Sequence, residues 1–454
     1  MHRVINCEIR YIIGHYESSP LKGEIYNIAF SGKIYSLTAL GQRPFRTKTV
    51  FGKKIDIFAL INGANLTKVV LKKNEERRIK NGHLWVFSNE IASIEGEVST
   101  GDIVRVFDSC NHFIASGFYN PKSLIAIRII SENETVDLES LFRKRLTRAF
   151  AFRKIFYPDR VSFRLVFSES DFMPGIIIDK YKDTYVLQVY SAGIEKNIQL
   201  IVKILKDEFS ARNIFTKNEE YFRVLEGLPA VDFIYLGERN EEIINDGKVR
   251  YKINFATGQK TGFYFDQCDN RSFIEQFCKD KNVLDCFCNS GGFGLHAAIG
   301  GASNVVFVDS SAEEIKNAQE NYSINGFNCK SDFVQLDVFD FLEKCKSEQR
   351  KFDIINLDPP SFAKNKKSLS KAIKGYEKLN RLAIELMNEN GLLFSSSCSY
   401  HLKEDMFIEM INDAALKAGK RLQLFHFNNA SFDHPSLTSM EETVYLKFAA
   451  FRVY

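Results

Sequence analysis

From about residue 253 onward, short apolar runs alternate with amphipathic stretches, and aspartates close or follow four of the runs. This pattern constrains the fold more than any other feature of the chain. The runs lie at 282–287, 304–308, 333–335, 352–357 and 391–396, lengths suited to strands, while 295–299, 312–325 and 379–388 have helical spacing. Alternation at these lengths predicts a doubly wound α/β sheet.

Ligands of such sheets sit at the carboxyl ends of the strands. Those ends hold Asp285, Phe287, Asn289, Gly291 and Gly292 in the first turn, then Asp309, then Asp337, then Asp358-Pro359-Pro360-Ser361-Phe362, then Ser397-Cys398-Ser399. A dinucleotide loop needs a third glycine where this chain has Ala297. The Asp285 carboxylate would also repel a pyrophosphate. It suits a ligand carrying an ammonium, S-adenosylmethionine. On that reading Asp285 lies near the amino-acid part, Gly291 and Gly292 admit the ligand to the backbone, Asp309 accepts from the ribose hydroxyls, and Asp337 borders the adenine.

The last two strand ends suggest a reaction. Two prolines fix the loop after Asp358 and present one carboxylate. Cys398 should reach the same mouth. Carbon 5 of a pyrimidine is a poor nucleophile until a thiolate adds at carbon 6, so an Asp and a Cys facing one pocket suit C5 methylation. The bland alternative for Cys398 is a small buried hydrophobe.

Lys plus Arg (61) nearly balances Asp plus Glu (57), so a polyanionic partner must be argued locally. Basic residues crowd 361–381, with Lys364, Lys366 and Lys367 directly after the proline loop, and 141–165, with Arg143, Arg145 and Arg148 on a predicted basic helix. Lys72, Lys73 and Arg77 follow a short strand at 69–71. A solvated helix face is the plain alternative for such runs; beside a reactive loop they favour RNA. Short strands between 67 and 140 predict a small β-barrel, and 141–235 reads as a small α+β segment. The nine cysteines show no C-x-x-C spacing, so no metal is expected, and no run is long and apolar enough to span a bilayer. With no export signal at the N-terminus, the expected location is the cytoplasm.

These motifs resemble a family of bacterial large-subunit ribosomal RNA methyltransferases that join a PUA domain, a small α/β domain and a Rossmann-like methyltransferase. The resemblance rests on Gly82-His83-Leu84-Trp85-Val86-Phe87-Ser88, on Phe163-Arg164-Leu165-Val166 with Asp171, Pro174-Gly175 and Asp179, and on the stretch from Thr257-Gly258-Gln259-Lys260-Thr261-Gly262-Phe263 through Asp266-Gln267 to Arg271. The proline loop, Ser397-Cys398-Ser399, His434-Pro435 and Tyr445-Leu446-Lys447 complete it. It implies a class I Rossmann-like methyltransferase domain (236–454) preceded by a PUA-like RNA-binding β-barrel (67–140) and a small α+β domain (141–235). It further implies 5-methylcytosine formation in 23S ribosomal RNA, with Cys398 as nucleophile, Asp358 on the base, and Gln267 and Arg271 framing the cofactor side. Asn289-Ser290 and Asp269 depart from the family pattern and leave the detailed cofactor contacts open.

Residues 1–66 carry nine Lys/Arg against four Asp/Glu and show no sustained period. The resemblance begins at Leu66, and no methionine lies between Met1 and Met173. We read this stretch as a loosely ordered, atypical extension translated ahead of a natural start at Leu66; a basic RNA-binding arm is the alternative. Two rival functions stay open: methylation of an exocyclic amine or ring nitrogen through the Asp-Pro-Pro-aromatic loop, and a non-enzymatic RNA-binding assembly factor. The oligomeric state is open too, a homodimer included.

Overall fold

The computed structural model describes residues 67–454, apart from 239–240, 257, 259 and 364–365, and within 1–66 the backbone of four strands. Residues 1–66 form a separate unit. In it Glu24–Phe30 pairs antiparallel with Lys33–Ala39, and Lys48–Val50 with Lys53–Ile55. Strand pairing therefore occurs where the sequence shows no sustained period; the Ser31-Gly32 dipeptide is the local turn signal. The start-site reading concerns residues that otherwise lie outside the described part.

The C-terminal part is the expected doubly wound sheet, with seven strands where the sequence showed five apolar runs. Across the sheet they run Lys330–Gln335, Asn304–Asp309, Asn282–Cys286, Phe352–Leu357, Met387–Ser397, Lys447–Val453 and Leu422–Asn428. Numbered along the chain, that order is 3-2-1-4-5-7-6. The first five are parallel, Lys447–Val453 runs antiparallel to them, and Leu422–Asn428 pairs antiparallel with it. Strand order reverses between Asn282–Cys286 and Phe352–Leu357, which opens the ligand crevice at their carboxyl ends. Both faces are covered. Helices Val338–Ser347, Leu369–Glu385 and Glu404–Lys417 bury one core, and Cys268–Ile274, Gly292–Ile299 and Ala312–Asn325 bury the other. Burial on both faces explains why the strands read as continuous apolar runs.

Two elements differ from their expectation. Of the basic stretch 141–165, only the part within Leu138–Phe156 is helix, and Ser162–Phe167, which holds Arg164, is a strand paired with Ile176–Tyr181. The helix expected at 379–388 spans Leu369–Glu385, and Asn388 lies in the following strand. Ala372, Tyr376, Leu379 and Ala383 form its buried stripe at helical spacing, while exposed lysines at 371, 374 and 378 mask its first turns in composition.

Two smaller sheets precede this one. A six-stranded sheet spans residues 68–131, and a five-stranded sheet spans 162–236 with helices Leu138–Phe156 and Ile198–Glu208 packed on it. Buried ionic knots join the three parts. Glu226 accepts from Asn120, Ser123 and Arg128 (2.7–2.9 Å), and Glu169 from Trp85 Nε1 at 2.8 Å. Arg153, wholly buried, binds the Asp171 carboxylate at 2.5 and 2.7 Å and the Asp433 carbonyl at 2.8 Å. Met440, near the C-terminus, packs into the core of the six-stranded sheet.

Candidate active site

The first strand ends at Asp285, and the turn after it is forced. Phe287 and Asn289 take positive φ, +59° and +48°, and Gly291 takes +92°. The glycines are required by the protein's own packing. A Cβ on Gly292 would stand 2.7 Å from Arg271 Nε, and one on Gly294 would stand 2.1 Å from the Phe307 ring. Asp285 is 1% exposed and braces this turn, accepting from Gly294 N at 2.7 Å and from Asn356 Nδ2 at 2.9 Å. Burial pushes its carboxyl up to about 6. Placed beneath a helix N-terminus with one bond to each oxygen, Asp285 shapes the loop.

Asp309 ends the second strand and is only partly buried. It accepts from Asn289 N and Ser311 N at 3.0 Å each, leaving carboxylate lone pairs free. Glu314 stands beside it, and burial raises its carboxyl. Asp337 is exposed and caps helix Val338–Ser347, accepting from Phe339 N at 2.8 Å and Asp340 N at 3.3 Å. Acceptors at Asp309 and Glu314 beside a strained glycine turn fit a ligand with ribose hydroxyls and an ammonium.

The reactive end lies across the reversal point. Gln267 Nε2 donates to Asp358 Oδ1 at 2.9 Å and to Ser396 Oγ at 3.3 Å, and Asn270 holds the Gln267 amide in turn at 2.7 Å. Burial, helped by the Asp266 charge, pushes the Asp358 carboxyl up to about 7. Cys398 follows the neighbouring strand. Burial and then the Asp358 charge push its thiol up to about 11, against the pull of Lys260 and Lys447. The Ser399 hydroxyl meets Tyr376 at 2.8 Å and Ser361 at 2.9 Å, which ties the proline loop to the cysteine turn. Phe362 stacks on Tyr376 at 4.4 Å and packs against the core.

Arg271 is placed differently from its expectation. It lies over the Phe263 ring at 4.7 Å and faces Asp246 at 3.4 Å, within a buried set that includes His296 and Arg160. Its guanidinium backs Gly292, so it supports the cofactor turn from behind.

Comparison with known proteins now adds to this geometry. Residues 69–132 match a PUA-like domain model, and residues 230–452 match an S-adenosylmethionine-dependent methyltransferase model. The chain is 36% identical to the ribosomal RNA large subunit methyltransferase I of Pseudoalteromonas atlantica over 84% of its own length and 98% of that protein. It is 36% identical to the namesake from an Enterobacter species, over 85% and 99%. The chain belongs to the ribosomal RNA large subunit methyltransferase I family. It is thus an S-adenosylmethionine-dependent methyltransferase with an α/β fold and a PUA-like domain. A Streptococcus mutans protein assigned to the S-adenosylmethionine-dependent methyltransferases shares the fold, with a TM-score of 0.72 at 21% identity over 85% of this chain and 99% of that one.

Within this family member, several basic residues expected to meet RNA are committed elsewhere. Arg143 bridges Glu139 and Glu208. Arg145 donates to the carbonyls of Phe172 and Ile130, and burial pulls its guanidinium down to about 10. Further along the basic run, Arg153, Arg160 and Arg164 each close an internal ion pair. Charge counted along a helix does not reveal which residues face acids across a sheet. Arg148, Lys73, Lys366 and Lys367 are exposed. Lys72 is exposed with its ammonium on the Asn89 carbonyl at 2.6 Å, and Arg77 reaches Asn74 at 2.9 Å. Lys364 lies outside the described residues.

Sequence reasoning missed Asp266, Lys447 and Glu314. Asp266 accepts from Tyr445 at 2.6 Å, and Lys447 donates to the carbonyls of Ser399 and Tyr445 at 2.7 Å. Asp266 and Lys447 stand inside the motifs that carry the resemblance, and a buried Lys paired in register with Ser397 was the available signal. Among the described residues, no group of three or more His, Cys, Asp or Glu could hold a metal, and no helix is long and apolar enough to cross a membrane.

Proposed function

We propose that this chain methylates carbon 5 of a cytosine in 23S ribosomal RNA through a covalent adduct on Cys398. Two facts support RNA as substrate: the relatives are ribosomal RNA large subunit methyltransferases, and a PUA-like domain precedes the catalytic sheet. The observation that carries the chemistry is the pairing of Cys398 with a carboxyl held near neutrality at the ends of adjacent strands. A carboxyl at about 7 can donate to the ring nitrogen as the thiolate adds at C6. Addition makes C5 nucleophilic, the methyl group joins there, the C5 proton leaves to a base, and the thiolate is expelled as the ring-nitrogen proton returns to Asp358. S-adenosylmethionine supplies that methyl from a sulfonium, and Asp309, Glu314 and the glycine turn would hold it. The target base must leave its stack to reach the strand ends. We read 67–140 as the PUA-like domain, 141–235 as the small α+β domain and 236–454 as the catalytic domain of a cytoplasmic enzyme.

The amine-methylating rival needs an exposed aromatic in the proline loop to hold its substrate. Phe362 is instead stacked on Tyr376, which disfavours it. The test is incubation with unmodified 23S ribosomal RNA and radiolabelled S-adenosylmethionine, followed by nucleoside identification. Label in 5-methylcytidine is the expected outcome. Label in an N-methylated nucleoside would establish the rival, and no transfer at all would leave an RNA-binding factor.

A further inference from the structure

A cavity of about 460 Å³ lies between the five-stranded sheet and the catalytic sheet. Phe167, Tyr190 and Phe222 wall it on one side, and Lys260, Tyr400 and Tyr445 on the other. Neither Cys398 nor Asp358 lines it. Both are close in the structure's connectivity, however: Tyr400 comes two residues after Cys398, and the Tyr445 hydroxyl donates to Asp266, whose charge bears on Asp358 and Cys398.

We propose that this cavity receives an unstacked base of the substrate RNA, from a nucleotide flanking the target cytosine. The proposal rests on the reading of the site as an RNA cytosine methyltransferase, and extends it to a second subsite. Its volume is ample for one base and its ribose. Aromatic faces are available, because Phe222 is 42% exposed and stands 5.0 Å from Tyr190. Such faces take bases whatever their sequence.

The polar lining selects a base over a phosphate. Arg164 borders the cavity, but the Asp179 carboxylate holds its guanidinium through two bonds of 2.8 Å. Glu219 and Glu442 also line the space. Carboxylates repel a phosphate and accept from the exocyclic amine of a base. The Gln188 amide is committed to the Lys217 carbonyl at 3.1 Å, and its oxygen to the Tyr190 hydroxyl at 2.6 Å, so the floor is fixed before ligand arrives. Lys260 is exposed, its ammonium 4.9 Å from the Tyr264 ring, where a connecting phosphate would pass. Hydrogen bonds from Arg153 and Arg164 to Asp433 and from Thr261 to Asp179 lock the two walls together and make the cavity preformed.

The test uses the full chain, unmodified 23S ribosomal RNA transcribed in vitro, and Phe222→Ala with Phe222→Tyr as the conservative variant. Phe222→Ala should raise KM for RNA roughly 5- to 100-fold, the range expected when one base loses its stacking partner. S-adenosylmethionine affinity and the thermal midpoint should stay at wild-type values, and Phe222→Tyr should restore KM. An unchanged KM in Phe222→Ala, with 5-methylcytidine formed normally, overturns the subsite and leaves the catalytic reading intact. Absence of 5-methylcytidine with the wild-type chain overturns the catalytic reading and the subsite with it. Ultraviolet crosslinking of the wild-type complex is independent of the variant's folding. An adduct on the Phe222 or Tyr400 peptide, at a nucleotide adjacent to the methylated one, supports the proposal; adducts confined to other peptides overturn it.

Discussion

Cys398 sits where its surroundings oppose ionisation: burial and the Asp358 charge hold the thiol near 11. In the free enzyme it should therefore alkylate slowly at pH 7.5, and Lys447→Met should slow it further by removing a nearby cation; site-resolved mass spectrometry of iodoacetamide-treated protein measures both. A faster reaction in Lys447→Met would show that the lysine does not act on the thiol. Cys398→Ala should abolish RNA methylation while leaving S-adenosylmethionine affinity within a few-fold, which calorimetry can check. The Asp358 carboxyl is raised from an ordinary value near ~3.9 to about 7, so the folded state holds its proton more tightly than the unfolded chain. Its stabilising contribution is full below about pH 4 and disappears as pH rises through about 7. Asp358→Asn should accordingly flatten the dependence of Tm on pH between 5 and 8, and at pH 8 should melt above the wild type while being inactive. The place of Cys398 and Asp358 directly after the ends of adjacent strands was legible in the sequence, because the apolar runs before them set where those strands stop. That Asp285 also braces the glycine turn was not legible, since only the structure shows its oxygens accepting from Gly294 and Asn356.

At the scale of elements, the glycine turn and helix Gly292–Ile299 carry the clearest requirement. Gly294→Ala would drive a methyl into the Phe307 ring, 2.1 Å away on the adjacent strand. The helix cannot withdraw without releasing the Gly294 N–H from Asp285. Overpacking of this kind costs about 1–3 kcal/mol, and the variant should both melt earlier and bind S-adenosylmethionine more weakly. Normal cofactor affinity with a lowered Tm would separate the turn from the ligand. Five of the seven strands were legible as short apolar runs bounded by turns, whereas Leu422–Asn428 and Lys447–Val453 were not read. Helix Leu369–Glu385 was half legible: its buried stripe begins at Ala372, but lysines on the opposite face made the first turns look like a charged loop. The basic helix Leu138–Phe156 was legible as an element and not as a surface, because Arg143 and Arg153 find their acids at Glu208 and Asp171.

Over the whole molecule, two kinds of charge divide the work. Lys366 and Lys367 are exposed after the proline loop, and buried arginines hold the parts together. For the first kind, Lys366→Glu with Lys367→Glu should weaken RNA binding and lower the slope of log affinity against log salt by ~0.7–0.9 for each phosphate no longer neutralised; an unchanged slope would return both lysines to solvent. The second kind is best tested at Arg153, which reaches Asp171 beside the five-stranded sheet and the Asp433 carbonyl in the catalytic part. Arg164 donates its backbone N–H to Asp433 at 2.9 Å and its guanidinium to Asp179, which also accepts from Thr261 at 2.5 Å. These bonds cross from one sheet to the other, so removing the five-stranded part would leave the buried Asp433 carboxylate without its Arg164 donor. Arg153→Met leaves Asp171 buried without its ion pair, a loss of about 3–5 kcal/mol. Because the knot belongs to both sheets, that loss should fall on the molecule as a unit: calorimetry should show one transition at lower temperature, with the two sheets melting together. Two resolved transitions, the catalytic sheet melting at its original temperature, would mean that the parts are stable independently and that the cavity between them has no fixed walls.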